Sequence, residues 1–272
     1  LVLVSVDSDR NPGDFYLFDT QAKKVDFLLA RRQWFKPESM AEQKPIRLKS
    51  RDGMDLHGYL TLPKAGSGKR PMIVLPHGGP FTVRDYWGFD NDPQMLAAAG
   101  YAVLQVNFRG SSGYGRRFNQ AGAQQVGGAM QDDVTDATRW AIAEGHADPS
   151  RICIYGGSYG AYAALMGVAK EPSLYKCAAG YAGLYDLPMM FQRGDTQETR
   201  SGETFLREWY GDKSKLSAVS PTNMADRIKV PVFLAAGGED LRTPVEQTEL
   251  MERRLKAAGV PVETLYKKTE GH

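Results

Sequence analysis

The chain has 272 residues, a formal net charge of +2 at pH 7 and a hydrophobic fraction of 42%. This composition is ordinary for a soluble globular protein of one large or two small domains, and the charge gives no reason to expect nucleic acid as a partner. Apolar runs such as Met72–Leu75 are too short to cross a bilayer, and no basic-then-apolar leader opens the chain. We therefore expect a soluble chain without a membrane partner; the sequence does not distinguish a cytoplasmic from a periplasmic location.

The first 36 residues differ from the rest of the chain. Two short β-like runs, Leu1–Val6 and Phe15–Phe18, flank a turn-rich stretch that contains Asn11-Pro12-Gly13. This pattern predicts a β-hairpin. A lone hairpin buries too little to be stable, so we expect it to pack on the following domain or to belong to a larger β structure. A linker is predicted around Trp34–Pro45.

After Pro45 the pattern predicts a sheet that begins antiparallel and becomes parallel. Asp52-Gly53 between two β-rich runs is a strong hairpin signal. The later apolar runs suit strands that are covered on both faces. The eight predicted strands are Ile46–Lys49, Leu56–Leu62, Met72–Leu75, Tyr101–Val106, Ile152–Tyr155, Cys177–Tyr181, Val232–Ala236 and Val262–Tyr266.

Helical patterns separate most of these runs. Met130, Val134, Ala137 and Ala141 form one apolar stripe at helical spacing. Further helices are predicted at Tyr159–Ala169 and Pro244–Ala258, the second ended by Gly259 and Pro261. Strands that alternate with helices predict an α/β fold with a mostly parallel sheet and helices on both faces.

Two cysteines and four histidines limit the covalent and metal chemistry that the sequence predicts. Cys153 and Cys177 each lie in an apolar run that predicts a buried strand, so we expect two buried free thiols. The histidines and cysteines form no cluster in the sequence, so we expect neither a metal site nor a cofactor.

The stretch Gly156-Gly157-Ser158-Tyr159-Gly160 matches the G-x-S-x-G nucleophile elbow. The motif alone is weak in a chain rich in glycine and serine, and its context gives it weight. A predicted buried strand leads into it and a predicted helix leads out. In such a turn the serine oxygen is exposed above the carboxyl edge of the sheet, and the Tyr159 N–H faces the oxyanion formed in acyl transfer.

The partners of a nucleophile in this fold follow in the order acid, then histidine. His272 is the histidine that follows Ser158 in the sequence, after the last predicted strand. It is therefore the candidate base. Glu239 and Asp240 both follow the strand Val232–Ala236, and either carboxylate could orient the imidazole.

The loop after Met72–Leu75 reads Pro76-His77-Gly78-Gly79-Pro80. Glycines there let backbone N–H groups approach a substrate oxygen without obstruction by side chains. We expect the Gly79 N–H to be the second oxyanion donor, and we expect His77 to shape this loop rather than to act as a base.

Taken together, these motifs resemble those of the prolyl oligopeptidase family of serine peptidases, in particular its acylaminoacyl-peptidase-like branch. They run in family order through nearly the whole chain. The matching stretches are Arg51-Asp52-Gly53 with Gly58-Tyr59-Leu60, His77 to Pro80, Asn107 to Gly115, Asp148 to Ile152, Gly156 to Gly160, Asp240 with Pro244, and Glu270-Gly271-His272.

The resemblance implies an α/β-hydrolase domain over residues 37–272 that cleaves short peptide substrates through an acyl-enzyme on Ser158. It favours Asp240 over Glu239, because the family acid lies four residues before the proline. It also implies that residues 1–36 belong to an N-terminal β-propeller that restricts access to the site, and that the domain continues past His272 through a final helix. The sequence leaves the oligomeric state open, and a homo-oligomer is one alternative.

The resemblance also suggests a pocket for the side chain that precedes the scissile bond. Its candidate residues are Tyr185, Met189, Trp209 and Tyr210, and ordinary core packing is the alternative for each of them. Ala161, Ala235-Ala236 and Thr243 depart from the family pattern.

Two other functions fit the same sequence. The machinery of a serine peptidase also cleaves esters, so a carboxylesterase of the same fold is the first alternative. A non-catalytic binding module on this scaffold is the second. Filled triad positions, Ser158, Asp240 and His272, argue against it.

Overall fold

Two β-sheets organise the chain, and the computed structural model describes them over residues 1–66 and 68–272. The first sheet is antiparallel, with strand order β1-β2-β3. Its strands are β1 (Val2–Val6), β2 (Asp14–Asp19) and β3 (Lys24–Ala30).

The prediction of a two-stranded hairpin is therefore wrong, because a third strand follows. The Asp19 carboxylate accepts hydrogen bonds from the N–H groups of Gln21 and Ala22, and this turn directs the chain into β3. Lys23 and Lys24, at the start of β3, have low β propensity. For this reason the apolar residues from Val25 onward do not indicate a strand in the sequence.

The first sheet is joined to the rest of the chain through Asp9, which is buried. Its carboxylate accepts a hydrogen bond of 2.8 Å from the backbone N–H of Gln43, and its carbonyl accepts one of 2.9 Å from the Gln94 side chain. A buried carboxylate that is hydrogen-bonded in this way fixes the connection between the two sheets.

The second sheet has eight strands within the described residues, in the order β11-β10-β9-β8-β6-β7-β5-β4. They are β4 (Gln43–Lys49), β5 (Asp55–Thr61), β6 (Arg70–Val74), β7 (Ala102–Asn107), β8 (Ala147–Gly157), β9 (Cys177–Tyr181), β10 (Val232–Gly237) and β11 (Val262–Lys267). The pairs β4–β5 and β5–β7 are antiparallel and the others are parallel. The prediction of a mostly parallel eight-stranded α/β-hydrolase sheet is confirmed.

The helices cover both faces of this sheet. They are α1 (Asn91–Ala98), α2 (Arg116–Gln120), α3 (Ala129–Ala143), α4 (Tyr159–Lys170), α5 (Arg200–Phe205), α6 (Lys213–Leu216) and α7 (Val245–Ala257). The strand order reverses after β7, so right-handed crossovers place α1 on one face and α3, α4 and α7 on the other. None of the helices described for this chain has the length and hydrophobicity needed to cross a membrane.

Cys153 and Cys177 form a disulfide bond, so the prediction of two free thiols is wrong. The two residues lie opposite each other in the register of the parallel strands β8 and β9, with their Cα atoms 4.8 Å apart. This spacing falls within the range of disulfides. Both side chains are half-buried on the sheet surface. The register of two parallel strands cannot be derived from a sequence separation of 24 residues, so the pairing was not predictable.

The carboxyl ends of the parallel strands meet at one edge of the sheet, where the functional loops lie. The loop after β6 contains His77 and Gly79, the turn after β8 contains Ser158, and the loops after β10 and β11 contain Asp240 and His272. In open α/β sheets, ligands bind at this edge.

Candidate active site

Ser158 lies in a tight turn between β8 and α4, with φ 55° and ψ −121°. A non-glycine residue rarely adopts this conformation, and the neighbouring backbone must hold it there. A Cβ on Gly156 would lie 2.5 Å from the backbone carbon of Gly160, and a Cβ on Gly160 would lie 2.2 Å from the carbonyl oxygen of Pro76. The glycines of the motif therefore allow three backbone segments to meet below the serine.

Three side chains predicted from the sequence lie in hydrogen-bonding contact. His272 Nε2 is 3.0 Å from Ser158 Oγ, and His272 Nδ1 is 2.8 Å from Asp240 Oδ2. The Asp240 side chain is fully buried, whereas about a third of the His272 side chain is exposed. This geometry permits an Nδ1–H that donates to the carboxylate and an Nε2 that accepts the serine proton.

The Asp240 carboxylate is held in its ionised form by its hydrogen bonds. Burial acts to raise its pKa, but hydrogen bonds from His272 and Thr243 outweigh burial and leave the pKa of Asp240 below its ordinary value. The N–H groups of Arg242 and Thr243 donate to Asp240 Oδ1 at 2.9 and 2.8 Å. A charged acceptor that is buried needs such donors. Glu239, by contrast, is exposed.

Thr243 is a part of this network that the sequence interpretation missed. Its hydroxyl lies 2.8 Å from Asp240 Oδ2 and 2.8 Å from the carbonyl oxygen of Ala182, and its single proton can satisfy one of them at a time. From the sequence, this threonine is only a departure from the family pattern. The available signal was a hydroxyl residue three positions after a loop aspartate, a spacing typical of local side-chain to backbone hydrogen bonds.

The loop with Gly79 lies against the nucleophile. Gly79 has φ +110°, and a Cβ on Gly78 would lie 3.5 Å from the Ser158 Cβ. Tyr159 is the first residue of α4, so its backbone N–H has no acceptor within the helix. The Ser158 N–H donates to the carbonyl oxygen of Tyr181 at 2.9 Å and is thereby occupied.

His77 is buried below this loop and stacks on Phe108 with ring centroids 4.3 Å apart. Its Nδ1 lies 2.7 Å from the Gly78 carbonyl oxygen, which can only accept, so Nδ1 carries the proton. Its Nε2 lies 2.8 Å from the Ser111 hydroxyl, whose single proton is shared between this nitrogen and the Phe108 carbonyl oxygen at 2.7 Å. Burial lowers the pKa of His77 to about 4, so the ring is neutral at pH 7 and links the loop to the scaffold.

A cavity of about 910 Å³ opens beside Ser158 and His272. Its apolar wall consists of Phe81, Leu184, Met190, Phe205 and Tyr210, and its polar rim includes Asp195, Thr196, Thr199, Arg242 and Thr243. The Arg242 guanidinium pairs with both carboxylate oxygens of Asp195, at 2.6 and 3.0 Å. This pair ties the rim to the loop that contains Asp240.

Only some of the predicted pocket residues line this cavity. Tyr210 does, and Met189 and Trp209 each lie beside a residue that does. The Trp209 ring packs behind Phe81, with centroids 4.5 Å apart. Tyr185 is fully buried in the core below the sheet edge and is wrongly placed in the pocket by the sequence interpretation. Its ring fills the space that a side chain on Gly180 or Gly183 would need.

Across residues 1–66 and 68–272, no group of three or more His, Cys, Asp or Glu side chains could hold a metal ion.

Comparison with known proteins shows which family the chain belongs to. The model of the prolyl oligopeptidase family matches residues 87–272. The chain belongs to the prolyl oligopeptidase family. The family predicted from the motifs is thus confirmed, and it is a family of serine peptidases.

Relatives in this family match almost all of the chain. It is 32% identical to the dipeptidyl aminopeptidase BIII of Pseudoxanthomonas mexicana, over 99% of this chain and 41% of that protein. A puromycin-hydrolyzing peptidase from Mycobacterium tuberculosis has a TM-score of 0.87 at 26% identity, over 99% of this chain and 42% of that chain. The acylaminoacyl peptidase of Pyrococcus horikoshii has a TM-score of 0.86 at 27% identity, over 99% and 44%. The chain thus spans less than half of the length of these relatives.

Proposed function

We propose that this chain is the catalytic part of a serine peptidase that hydrolyses peptide bonds of short peptides through an acyl-enzyme on Ser158. The observation that carries the proposal is the continuous series of contacts from Ser158 Oγ through His272 to the buried Asp240, at 3.0 and 2.8 Å. The names of the relatives support short peptides as the substrate class, because they include a dipeptidyl aminopeptidase and acylaminoacyl peptidases.

In the first half of the reaction, His272 Nε2 takes the proton of the Ser158 hydroxyl while Oγ attacks the scissile carbonyl. The carbonyl oxygen becomes an oxyanion, which the N–H groups of Gly79 and Tyr159 stabilise. Asp240 holds the imidazole in the required tautomer and stabilises the imidazolium. The imidazolium then gives its proton to the leaving amine, and the acyl group remains on Ser158.

In the second half, a water molecule replaces the amine. His272 takes a proton from this water, the resulting hydroxide attacks the ester carbonyl, and the second oxyanion occupies the same donors. Collapse of this intermediate breaks the bond to Ser158 Oγ, which recovers its proton from His272. The peptide acid is released and no cofactor is consumed.

The cavity of about 910 Å³ is the proposed pocket for the side chain that precedes the scissile bond. Its wall of Phe81, Leu184, Met190, Phe205 and Tyr210 suits a large apolar side chain, because burial of that side chain removes apolar area from water on both partners. Tyr210 is the residue of this wall that the sequence also indicated.

The proposal includes an N-terminal β-propeller in the full-length protein, with residues 1–30 as part of it. Two observations support this. The chain spans 41% of the length of the Pseudoxanthomonas relative. The first sheet also exposes apolar side chains, among them Leu3 at 62%, Val25 at 56% and Phe27 at 56%, as expected for strands that pack on further strands.

The experiment compares peptide anilides with short-chain aryl esters as substrates of the full-length protein, with Ser158→Ala as the control. We expect turnover of both substrate types by the wild type and of neither by the variant. Turnover of esters without any turnover of anilides would contradict the proposal and favour a carboxylesterase of the same fold.

A further inference from the structure

A second cavity, of about 360 Å³, opens beside Ser158. It shares only Gly78, Ser158 and His272 with the larger cavity, so the two extend from the nucleophile along different walls. The wall of the second cavity includes three carboxylates, Asp85, Asp90 and Asp92, and we name it the acidic cavity. A peptide that is cut at Ser158 needs room on both sides of the scissile bond, and the two cavities supply it.

Within the described part of the chain, none of Asp85, Asp90 and Asp92 forms an ion pair at 4.0 Å or less. Arg84 precedes Asp85 in the chain, but its guanidinium stacks on the ring of Tyr86, 4.3 Å from the centroid.

Two more arginines approach the acidic cavity without pairing with it. Arg31 and Arg32 line an adjoining cavity that shares Asp85 and Asp90. Arg31 lies over the ring of Phe15, and Arg32 donates to the Asn91 side chain. Asp90 accepts a hydrogen bond from the Asp92 N–H as the N-cap of α1, so the helix N-terminus partly compensates these two carboxylates. Asp85 is the carboxylate of the three that lacks such compensation.

Asp85 supplies an independent observation. Its Oδ1 accepts a hydrogen bond of 3.2 Å from Gln105 Nε2, whereas its Oδ2 is buried without any hydrogen-bond partner. A buried carboxylate oxygen that lacks a donor is costly and uncommon in folded proteins. Burial, together with the nearby charge of Asp90, raises the pKa of Asp85 to about 7. A cationic group in the cavity that Asp85 lines would favour the ionised carboxylate and take the place of the proton.

The position of the oxyanion loop indicates which part of a substrate each cavity receives. Gly79, the proposed oxyanion donor, lines the larger cavity and not the acidic one. The carbonyl and the acyl residue attached to it therefore lie toward the larger cavity. The leaving amine must lie near His272 Nε2, which protonates it, and the acidic cavity opens from His272 on the other side.

We propose that the acidic cavity binds a cationic side chain, lysine or arginine, of the leaving part of the substrate. This inference rests on the proposed function and names a preference of the same site. Asp85 is the central ligand, and Asp92, whose Oδ2 accepts a hydrogen bond from the Tyr155 hydroxyl at 3.3 Å, is the second.

The test uses the full-length protein and internally quenched peptides with one common acyl part. The first residue after the scissile bond is lysine, norleucine or glutamate, and an anilide with the same acyl part reports whether the enzyme acts at all. We expect kcat/KM for lysine to exceed that for norleucine about tenfold and that for glutamate by more, as for one partly buried ion pair. Asp85→Asn and Asp92→Asn should each reduce the lysine-to-norleucine ratio to less than about threefold.

Asp226→Asn is the matched control, because it removes an exposed aspartate at the opposite edge of the sheet and should leave the ratio unchanged. Equal rates for lysine and norleucine in the wild type would overturn the inference, as would a ratio that both variants leave unchanged. Cleavage of the lysine peptide on the carboxyl side of its lysine, which would place that side chain before the scissile bond, would also overturn it. Absence of anilide turnover would contradict the proposed function itself. Failure of the proposed function can thus be distinguished from failure of the inference about the acidic cavity.

Discussion

At the scale of single residues, the motifs alone do not decide which of two neighbours, Glu239 or Asp240, is the acid of the triad. Asp240 is buried and accepts hydrogen bonds from His272 and Thr243, whereas Glu239 is exposed. Resemblance to the family favoured Asp240 because of its distance from Pro244. The physical reason is that Asp240 has hydrogen-bond donors that compensate its burial.

The first prediction compares these two carboxylates. Asp240→Asn should lower kcat/KM for a peptide anilide by about 10³ to 10⁴, because the amide stabilises the wrong tautomer of His272. Glu239→Gln is the matched control and should change kcat/KM less than about twofold, since an exposed loop charge contributes little. Similar losses of kcat/KM in both variants would show that the activity depends on the loop as a whole and not on the Asp240 carboxylate.

A second prediction concerns the pH dependence of stability and Asp85. Burial and the charge of Asp90 raise its pKa in the folded state to about 7, from about 3.9 in an unfolded chain. Between these values the folded protein binds more protons than the unfolded chain, so this residue's contribution to stability falls as the pH rises.

Asp85→Asn removes this titration. Relative to the wild type, we expect the variant to gain stability as the pH rises from about 4 to about 7, with a difference that is constant below that window and constant again above it. Urea unfolding of both proteins at several pH values measures the difference. A difference that does not vary with pH would contradict the assignment of a raised pKa to Asp85.

Residue-level predictions succeeded where a motif fixes the local backbone and failed where tertiary packing decides. The elbow predicted the position of Ser158, because Gly156 and Gly160 leave space for the turn. Tyr185 was misplaced, because an aromatic residue in a loop after a strand can turn to the pocket or to the core, and its ring is fully buried.

At the scale of elements, the turn between β8 and α4 determines whether the nucleophile is presented correctly. Its close backbone contacts give a third prediction. Gly160→Ala should lower kcat/KM by at least about 10², because a Cβ placed 2.2 Å from the Pro76 carbonyl oxygen must displace either the elbow or the oxyanion loop, and small misplacements in an active site are costly.

Gly167→Ala is the control for this prediction. It is the same substitution in the same helix, and its Cβ would lie 3.2 to 3.3 Å from side-chain atoms of Ile154, Gln131 and Tyr175, so displacements of a few tenths of an ångström would relieve the contacts. Its kcat/KM should remain within about threefold of the wild type, since helix propensity favours alanine over glycine. Equal activity of both variants would show that the contact with Pro76 does not constrain the site.

The elements of the main sheet were largely predictable, because continuous apolar runs mark strands that are covered on both faces. The pairing between strands was not. The sequence predicts that Cys153 and Cys177 are separate buried thiols, and only the register of β8 against β9 places them side by side. The third strand of the first sheet was missed for a related reason, since the charged Lys24 and Asp26 interrupt its apolar pattern.

At the scale of the whole molecule, the sheet edge collects one functional group from each of several distant segments. Ser158 is 114 residues from His272 in the sequence, and Asp240 is 32 residues from it. The carboxyl ends of parallel strands lie at the same edge of the sheet. This topology brings motifs that are distant in the sequence together in one site. The first 30 residues stand apart as an antiparallel sheet, and the proposed propeller gives that sheet its partner strands.

The central claim is that Ser158 is a nucleophile activated by His272. The most direct measurement is the intact mass of the full-length protein after treatment with a fluorophosphonate, a reagent that labels activated serines. We expect one phosphonyl group on the wild type, located on the peptide that contains Ser158, and none on Ser158→Ala. A wild type that stays unlabelled, or a variant that is labelled to the same extent, would contradict the claim.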